Sequence, residues 1–239
     1  MQAIILAGGK GARLRPYTTV LPKPLMPIGE MPILEILVRQ LADQGINSIF
    51  MAVGYLHHMI EGVFKDGSKY GVKIDYSLEN EPLGTAGPIK LVFDHLDDHF
   101  LVLNGDLLTN ISFVNFFKSH IKQGAAASIA TYKRTVDVDF GVLSLDDQSY
   151  LEEYSEKPIY DFEVSMGINM FKKSCIEPII NDSKYLDIPN LMMALKDNGE
   201  KVFCYREDCE WLDIGRIEDY NTAVETFESK KKLFLPFSK

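Results

Sequence analysis

Three glycines, two arginines and a lysine lie close together near the start of this chain, in an order suited to gripping phosphate. The stretch reads AIILAGGKGARLRPYTTVLPKPLMP, residues 3–27. Gly8, Gly9 and Gly11 carry no side chain, so their backbone N–H groups can approach anionic oxygens closely. Arg13 and Arg15 can grip phosphate through paired hydrogen bonds, whereas Lys23 acts as a point charge. Pro22 and Pro24 stiffen the backbone around that lysine. Farther along, Asp106 and Asp213 each end an apolar run, Phe-Leu-Val-Leu-Asn-Gly-Asp and Trp-Leu-Asp. Such carboxylates suit Mg²⁺, which is typically held by one or two of them plus substrate phosphates. An aspartate at the end of a strand also serves as an ordinary helix cap or turn residue. The constellation points to a phosphate-rich ligand.

Two common phosphate motifs are excluded. No Gly-x-x-x-x-Gly-Lys-Ser/Thr run exists in the chain, and the third glycine of a dinucleotide fingerprint is replaced by Leu14. A bare glycine turn after a strand is also a plain βα connection, so the loop needs the rest of the chain to give it meaning.

The elements that would position these groups alternate. A strand at Ala3–Leu6 precedes a helix at Ile33–Gln44, where Leu34, Leu37, Val38 and Leu41 mark one face and Gly45 a stop. Strands follow at Ser48–Val53, Lys73–Ser77, Phe100–Leu103 and Ala126–Tyr132. Helices are predicted between them at His57–Phe64, Thr85–Phe93 and Phe113–Gln123. This order argues for an α/β fold, a mostly parallel sheet with helices on both faces. Ligands of such sheets bind at the carboxyl ends of the strands, where the glycine loop and Asp106 both fall. From about residue 137 the strands come closer together, at Gly141–Leu145, Tyr150–Glu156 and Met166–Phe171. Helices at Ser174–Ile180 and Pro189–Asn198, strands at Lys201–Tyr205 and Trp211–Asp213, and a helix at Ile217–Lys230 complete the pattern. The tail Lys230–Lys239, basic and then apolar, reads as packing on the body or on a subunit partner, and its exposed-looking run Leu233–Phe237 hints at a homo-oligomer interface.

With 239 residues, 46% of them hydrophobic and 25% charged, the chain can bury one substantial core. A net charge of −9 argues against nucleic-acid and anionic-membrane partners, which need a basic face. No apolar run reaches the ~18 residues of a membrane span, and no signal-peptide pattern opens the sequence. Cys175, Cys204 and Cys209 lack CxxC spacing and read as the reduced thiols of a cytoplasmic protein.

As a whole, the run from Leu6 to Pro24 resembles the signature of the sugar-1-phosphate nucleotidyltransferases: Leu-Ala-Gly-Gly-x-Gly-x-Arg-Leu-x-Pro-x-Thr, then Pro-Lys-Pro. One position departs from it, Ala12 standing where threonine is usual. The resemblance extends through Asn104-Gly105-Asp106, Glu156-Lys157-Pro158 and Trp211-Leu212-Asp213-Ile214-Gly215, in the family's order. It implies a Rossmann-like, GT-A-like nucleotidyltransferase fold with a small strand-rich sugar-binding lobe and no appended β-helix domain. The nucleotide-binding half would span 1–135 and the sugar-phosphate half 136–216, with a helix and tail over 217–239.

The resemblance also implies roles. Leu6, Ala7, Gly8, Gly9, Gly11, Arg13, Glu79, Gly84 and Thr85 would bind the nucleotide. Asn104, Gly141, Glu156, Lys157 and Asn169 would bind the sugar phosphate, and Asp106 and Asp213 would hold Mg²⁺. Arg13, Lys23 and Lys157 would carry the catalytic charge, in a nucleotidyl transfer from an NTP to a sugar 1-phosphate. The segment from Glu79 to Ala86 resembles the family's base-reading loop, with Glu79 where uridylyl and thymidylyl members place glutamine. A carboxylate only accepts hydrogen bonds, and guanine offers two adjacent donors where uracil offers one, which favours GTP. The run Pro82–Pro88 is similar to that of mannose-1-phosphate guanylyltransferases. Three other readings share the sheet: a glycosyltransferase, a transferase acting on phosphocholine or a cyclitol phosphate, and a non-catalytic nucleotide-sugar-binding regulatory subunit. Asp137-Val138-Asp139 is the Asp-x-Asp run a glycosyltransferase would use, but it does not end an apolar strand.

Overall fold

Side chains of the first strand, β1 (Gln2–Ala7), enter two different cores. Ala3, Ile5 and Ala7 belong to one buried cluster and Ile4 to another. A strand apolar on both faces must lie inside a sheet covered on both sides, and β1 does. The computed structural model describes residues 1–79 and 81–236; Asn80 and Phe237, both within segments singled out above, lie outside them.

A short ribbon, β2 (Pro27–Ile28) and β3 (Met31–Pro32), leads into α1 (Ile33–Asp43). Then come β4 (Ser48–Val53), α2 (His57–Phe64), β5 (Lys73–Leu78), α3 (Pro88–Val92), β6 (His99–Asn104), β7 (Leu107–Thr109) and α4 (Phe113–Gln123). The second half holds β8 (Ala127–Asp137), β9 (Val142–Leu145), β10 (Leu151–Ser155), β11 (Ile159–Lys172), α5 (Lys173–Asp182) and α6 (Ile188–Asp197). It closes with β12 (Val202–Arg206), β13 (Trp211–Asp213) and α7 (Ile217–Phe234). Seven strands form the main sheet in the order β12-β8-β11-β6-β1-β4-β5. Only β11 runs against its neighbours, so the sheet is mixed but mostly parallel, as the β-α-β order predicts.

Helices α1, α2 and α4 cover one face through Leu37, Phe64 and Phe116. Helices α3, α5 and α6 cover the other through Ile89, Ile176 and Leu191. A third cluster packs α7 on the back of α1 and joins Leu14, Ile36, Leu108, Ile214, Phe227 and Phe234. Among the described residues, no helix is long and apolar enough to cross a membrane.

Several expectations need correction. The helix predicted from Thr85 begins only at Pro88, because the N–H groups of Ala86 and Gly87 are taken by the Leu186 carbonyl, and proline suits the first helical turn. Strand β11 starts at Ile159, seven residues before the predicted Met166, since its outer half pairs with the extended end of β8. That pairing carries the strands across residue 136, with β11 and β12 in the main sheet. The final helix passes Lys230, where it kinks, and reaches Phe234. Of the described tail residues, Phe234 and Leu235 pack on the body, 0% and 2% exposed in the third cluster, while Leu233 and Pro236 face solvent.

Candidate active site

Because β1, β4, β5 and β6 are parallel, their carboxyl ends line one edge of the sheet, and the chain's glycines and acids gather there. Gly8–Gly11 follow β1, Gly54 and Tyr55 follow β4, Glu79 follows β5, and Asp106 comes just after β6. They border a cleft of about 860 Å³. Of the residues assigned above to nucleotide, catalysis, sugar phosphate or metal, Leu6, Ala7, Gly8, Gly9, Gly11, Arg13, Lys23, Glu79, Gly84, Thr85, Asn104 and Asp106 line this cleft. Arg15 does not, and its side chain is exposed.

The glycine loop is held from several sides. Gly11 sits at φ 58°, where glycine is favoured, and its carbonyl accepts the Thr18 hydroxyl at 2.8 Å. Leu14 is fully buried in the third cluster and anchors the loop's far end. The Gly8 carbonyl accepts the Tyr55 N–H at 3.3 Å, and the Tyr55 hydroxyl donates to the Thr19 carbonyl at 2.9 Å.

Asp106 and Asp213 meet because β7 pairs antiparallel with β13, putting Leu107 opposite Asp213. The Lys23 ammonium pairs with Asp106 and lies 4.0 Å from Asp213. Partial burial, and then the neighbouring Asp106 charge, push the Asp213 carboxyl above its ordinary range, with Lys23 and Arg13 opposing. Two carboxylates that repel one another across a lysine suit a hard dication, and this donor set fits Mg²⁺. Arg13 approaches from the Gly215 side, where a Cβ would lie 3.6 Å from its guanidinium nitrogens.

Glu79 lies against the loop, and its carboxyl is raised by burial, partly offset by a hydrogen bond from the Leu83 N–H. Gly84 and Thr85 follow on a turn tied to residues 185–188. Tyr185 and Asp187 also line the cleft, and sequence reasoning missed both. Asp187 reads as an ordinary cap before Ile188-Pro189, and nothing in the sequence signals its proximity to Thr85.

The residues expected to bind sugar phosphate divide. Asn104 lines the cleft, with Gly167 at φ 71° packed so closely that a Cβ there would meet Asn104 Nδ2 at 2.5 Å. Gly167, a glycine inside a strand, was a legible sign of close approach. Gly141, Glu156 and Lys157 lie on an exposed lobe built from the β9–β10 hairpin and the outer ends of β8 and β11, and none of them lines the cleft itself. Two of them adjoin: the Tyr154 hydroxyl donates to Glu156 Oε2 at 3.1 Å, and a Cβ on Gly141 would press on both side chains. Lys157 takes a left-handed backbone, φ 45°, at the turn into β11. Asn169 is not brought to the cleft. It is 2% exposed, between Val102 and Ile129 in the sheet, and its Oδ1 has no partner.

A Rossmann-like sheet with a glycine loop at its carboxyl edge, facing paired carboxylates, is an arrangement suited to a phosphate-rich ligand. The chain belongs to the nucleotidyl transferase family, whose model matches residues 2–230. It is 34% identical over 97% of its length to a UTP–glucose-1-phosphate uridylyltransferase of Synechocystis sp., and spans 64% of that protein, a little under two thirds. It is 33% identical over 99% of its length to a mannose-1-phosphate guanyltransferase of Schizosaccharomyces pombe, spanning 67% of it. Among solved structures, HddC from Yersinia pseudotuberculosis superposes with a TM-score of 0.75 at 28% identity, over 95% of this chain and 99% of that one. HddC has also been solved complexed with GMP-PN, matching here with a TM-score of 0.74 at 26% identity over the same shares.

Proposed function

We propose that this chain transfers a nucleotidyl group from an NTP to a sugar 1-phosphate, giving an NDP-sugar and pyrophosphate. The observation that carries this reading is the single cleft shared by the glycine loop, Arg13, Lys23, Asn104 and Asp106, with Asp213 beside it. A sugar-phosphate oxygen attacks the α-phosphorus, and the bond to the bridging oxygen breaks, so that pyrophosphate leaves with the electron pair. The attacking phosphate is largely ionised near neutral pH, with a second pKa of about 6, so no general base is needed. The protein's work is positioning and charge neutralisation. Amides of Gly8, Gly9 and Gly11 and the Arg13 side chain hold the triphosphate, and Lys23 faces the α-phosphate region. Lys157 aligns the incoming sugar phosphate, and Glu156 and Gly141 take the sugar. Asp106 and Asp213 are the residues that hold Mg²⁺, which offsets charge on the phosphates when bound.

The base is guanine, and the nucleotide GTP, in this proposal. Glu79 supports it, standing on the cleft wall as an acceptor-only group once ionised, and so does the GMP-PN complex of HddC. The test is pyrophosphate release with Mg²⁺, crossing GTP, CTP, UTP, dTTP and ATP against a panel of sugar 1-phosphates. Release that requires both substrates is the expected result. Release with UTP or dTTP in preference to GTP would overturn the base assignment alone. No release with any pair, alongside intact nucleotide binding, would turn the reading toward a regulatory subunit.

A further inference from the structure

The loop that carries Gly84 and Thr85 has no regular structure of its own until α3 begins at Pro88. It is fixed instead from a distant part of the chain. Asp187 Oδ1 accepts both the Thr85 N–H, at 2.9 Å, and the Thr85 hydroxyl, at 3.2 Å. The same hydroxyl oxygen accepts the Ile188 N–H at 2.8 Å. Beside this, the Leu186 carbonyl accepts the N–H groups of Ala86 and Gly87, and the Leu186 N–H donates to the Leu83 carbonyl at 2.9 Å. The second carboxylate oxygen of Asp187 accepts the Tyr185 hydroxyl at 3.0 Å. Gly84 takes φ 82°, and a Cβ there would collide with the Leu186 carbonyl, so the two segments touch backbone to backbone.

We infer that Asp187 and Thr85 form a latch that sets the nucleotide-side loop, and that Thr85 is a positioning residue whose hydroxyl does not touch the nucleotide. Its single hydroxyl proton is committed to Asp187 and its oxygen to Ile188, which leaves little for a ligand. Hydrogen bonds to a carboxylate are stronger than neutral ones, so one aspartate can hold a loop of high intrinsic freedom. The Thr85 N–H also holds the Asp187 carboxyl below its usual range. Glu79, Glu81 and Pro82 border the same cleft just upstream. Their placement against a base therefore depends on the latch.

The inference rests on the proposed nucleotidyl transfer, and its test separates the two. Asp187→Ala should raise the KM for the preferred NTP roughly tenfold, with kcat and the sugar-phosphate KM little changed, because a charge-assisted bond that orders the loop is lost. Discrimination between NTPs should fall by a similar factor. Thr85→Val should reproduce this effect, and Thr85→Ser, which keeps the hydroxyl, should restore most of it. The double variant Asp187→Ala/Thr85→Val should be no worse than either single change. Thermal melts identify variants that fail to fold; if Asp187→Ala is one, Thr85→Val and Thr85→Ser carry the test. A folded Asp187→Ala protein with unchanged nucleotide KM and selectivity would overturn the latch. So would a loss confined to kcat. If the unaltered protein turns over no substrate pair, the function fails first, and the latch is then read from Mg²⁺-dependent GTP binding by calorimetry. Equal affinity of the unaltered and Asp187→Ala proteins would overturn it there.

Discussion

The carboxylate of Glu79 rests against the α-carbon of Gly8, so closely that a methyl group there would sit 2.7 Å from Oε1. The contact joins the end of β5 to the end of β1 across β4, and so joins the proposed base side of the cleft to its glycine loop. Gly8→Ala must displace either the carboxylate or the loop. We expect its KM for NTP to rise roughly tenfold, measured by pyrophosphate release.

Glu79→Gln keeps the shape but replaces one acceptor with a donor. A site built to pair two donors then leaves a polar group unmatched. The ratio of kcat/KM for GTP over UTP should fall roughly 10- to 100-fold. An unchanged ratio would show that the base is read by backbone groups alone.

Asp106→Asn removes a hard anionic ligand beside Lys23 and Asp213. Turnover should drop by at least about a hundredfold, and a thermal melt should show the folded state retained, since the near-isosteric amide still accepts from Lys23. Titrating Mg²⁺ should show a weaker apparent affinity in any residual activity. Full activity at ordinary Mg²⁺ would remove Asp106 from the metal site.

A polar chain runs from the surface into the core at the opposite end of the sheet. His120 Nδ1 lies 2.7 Å from the Ser128 hydroxyl, its Nε2 lies 2.9 Å from His99 Nδ1, and His99 Nε2 lies 3.4 Å from Asp98. Burial, and then the His99 ring, push the fully buried His120 down to about 4 from its ordinary 6.5. Between these values the unfolded chain binds the proton that the native state refuses. Stability is therefore full above pH 6.5 and declines as pH falls toward 4, by on the order of 2–3 kcal/mol. Urea melts at pH 7, 5.5 and 4.5 should show this slope, and His120→Gln should flatten it. Identical slopes in both proteins would exclude His120 as the cause.

Phe234 is fully buried beside Phe227, in the cluster that also holds Leu14 of the glycine loop and Ile214 next to Asp213. The Gln40 amide also donates to the Phe234 carbonyl at 2.8 Å. Phe234→Ala should cost about 3–5 kcal/mol of stability and loosen the loop it supports. Denaturant unfolding measures the first effect, and a raised NTP KM at low temperature measures the second.

Local pattern made much of this protein legible. Strands β4 and β13 and helices α2 and α4 follow from apolar period and from stops such as Gly124. The glycine loop, Lys23 and Asp106 could be read because they lie next to the strands that aim them. Where the reading failed, distant segments decided. Thr85 leaves the helical pattern because Leu186 and Asp187 take its neighbours' hydrogen bonds, and β11 lengthens because β8 extends beside it. Asn169 looks like a ligand residue until its strand is seen to lie between β6 and β8.

By itself the amino-acid sequence determined the class of sheet, the glycine loop after its first strand and the charges beside that loop, since these depend on neighbours within a few residues. Only the tertiary structure decided that Leu107 pairs with Asp213, that Asp187 holds Thr85, and that Gly141, Glu156 and Lys157 stand on an exposed strand lobe rather than in the cleft lining. These relations come from strand pairing and loop packing between residues far apart in the chain. Their energies depend on which groups lose water together, and no local pattern records that.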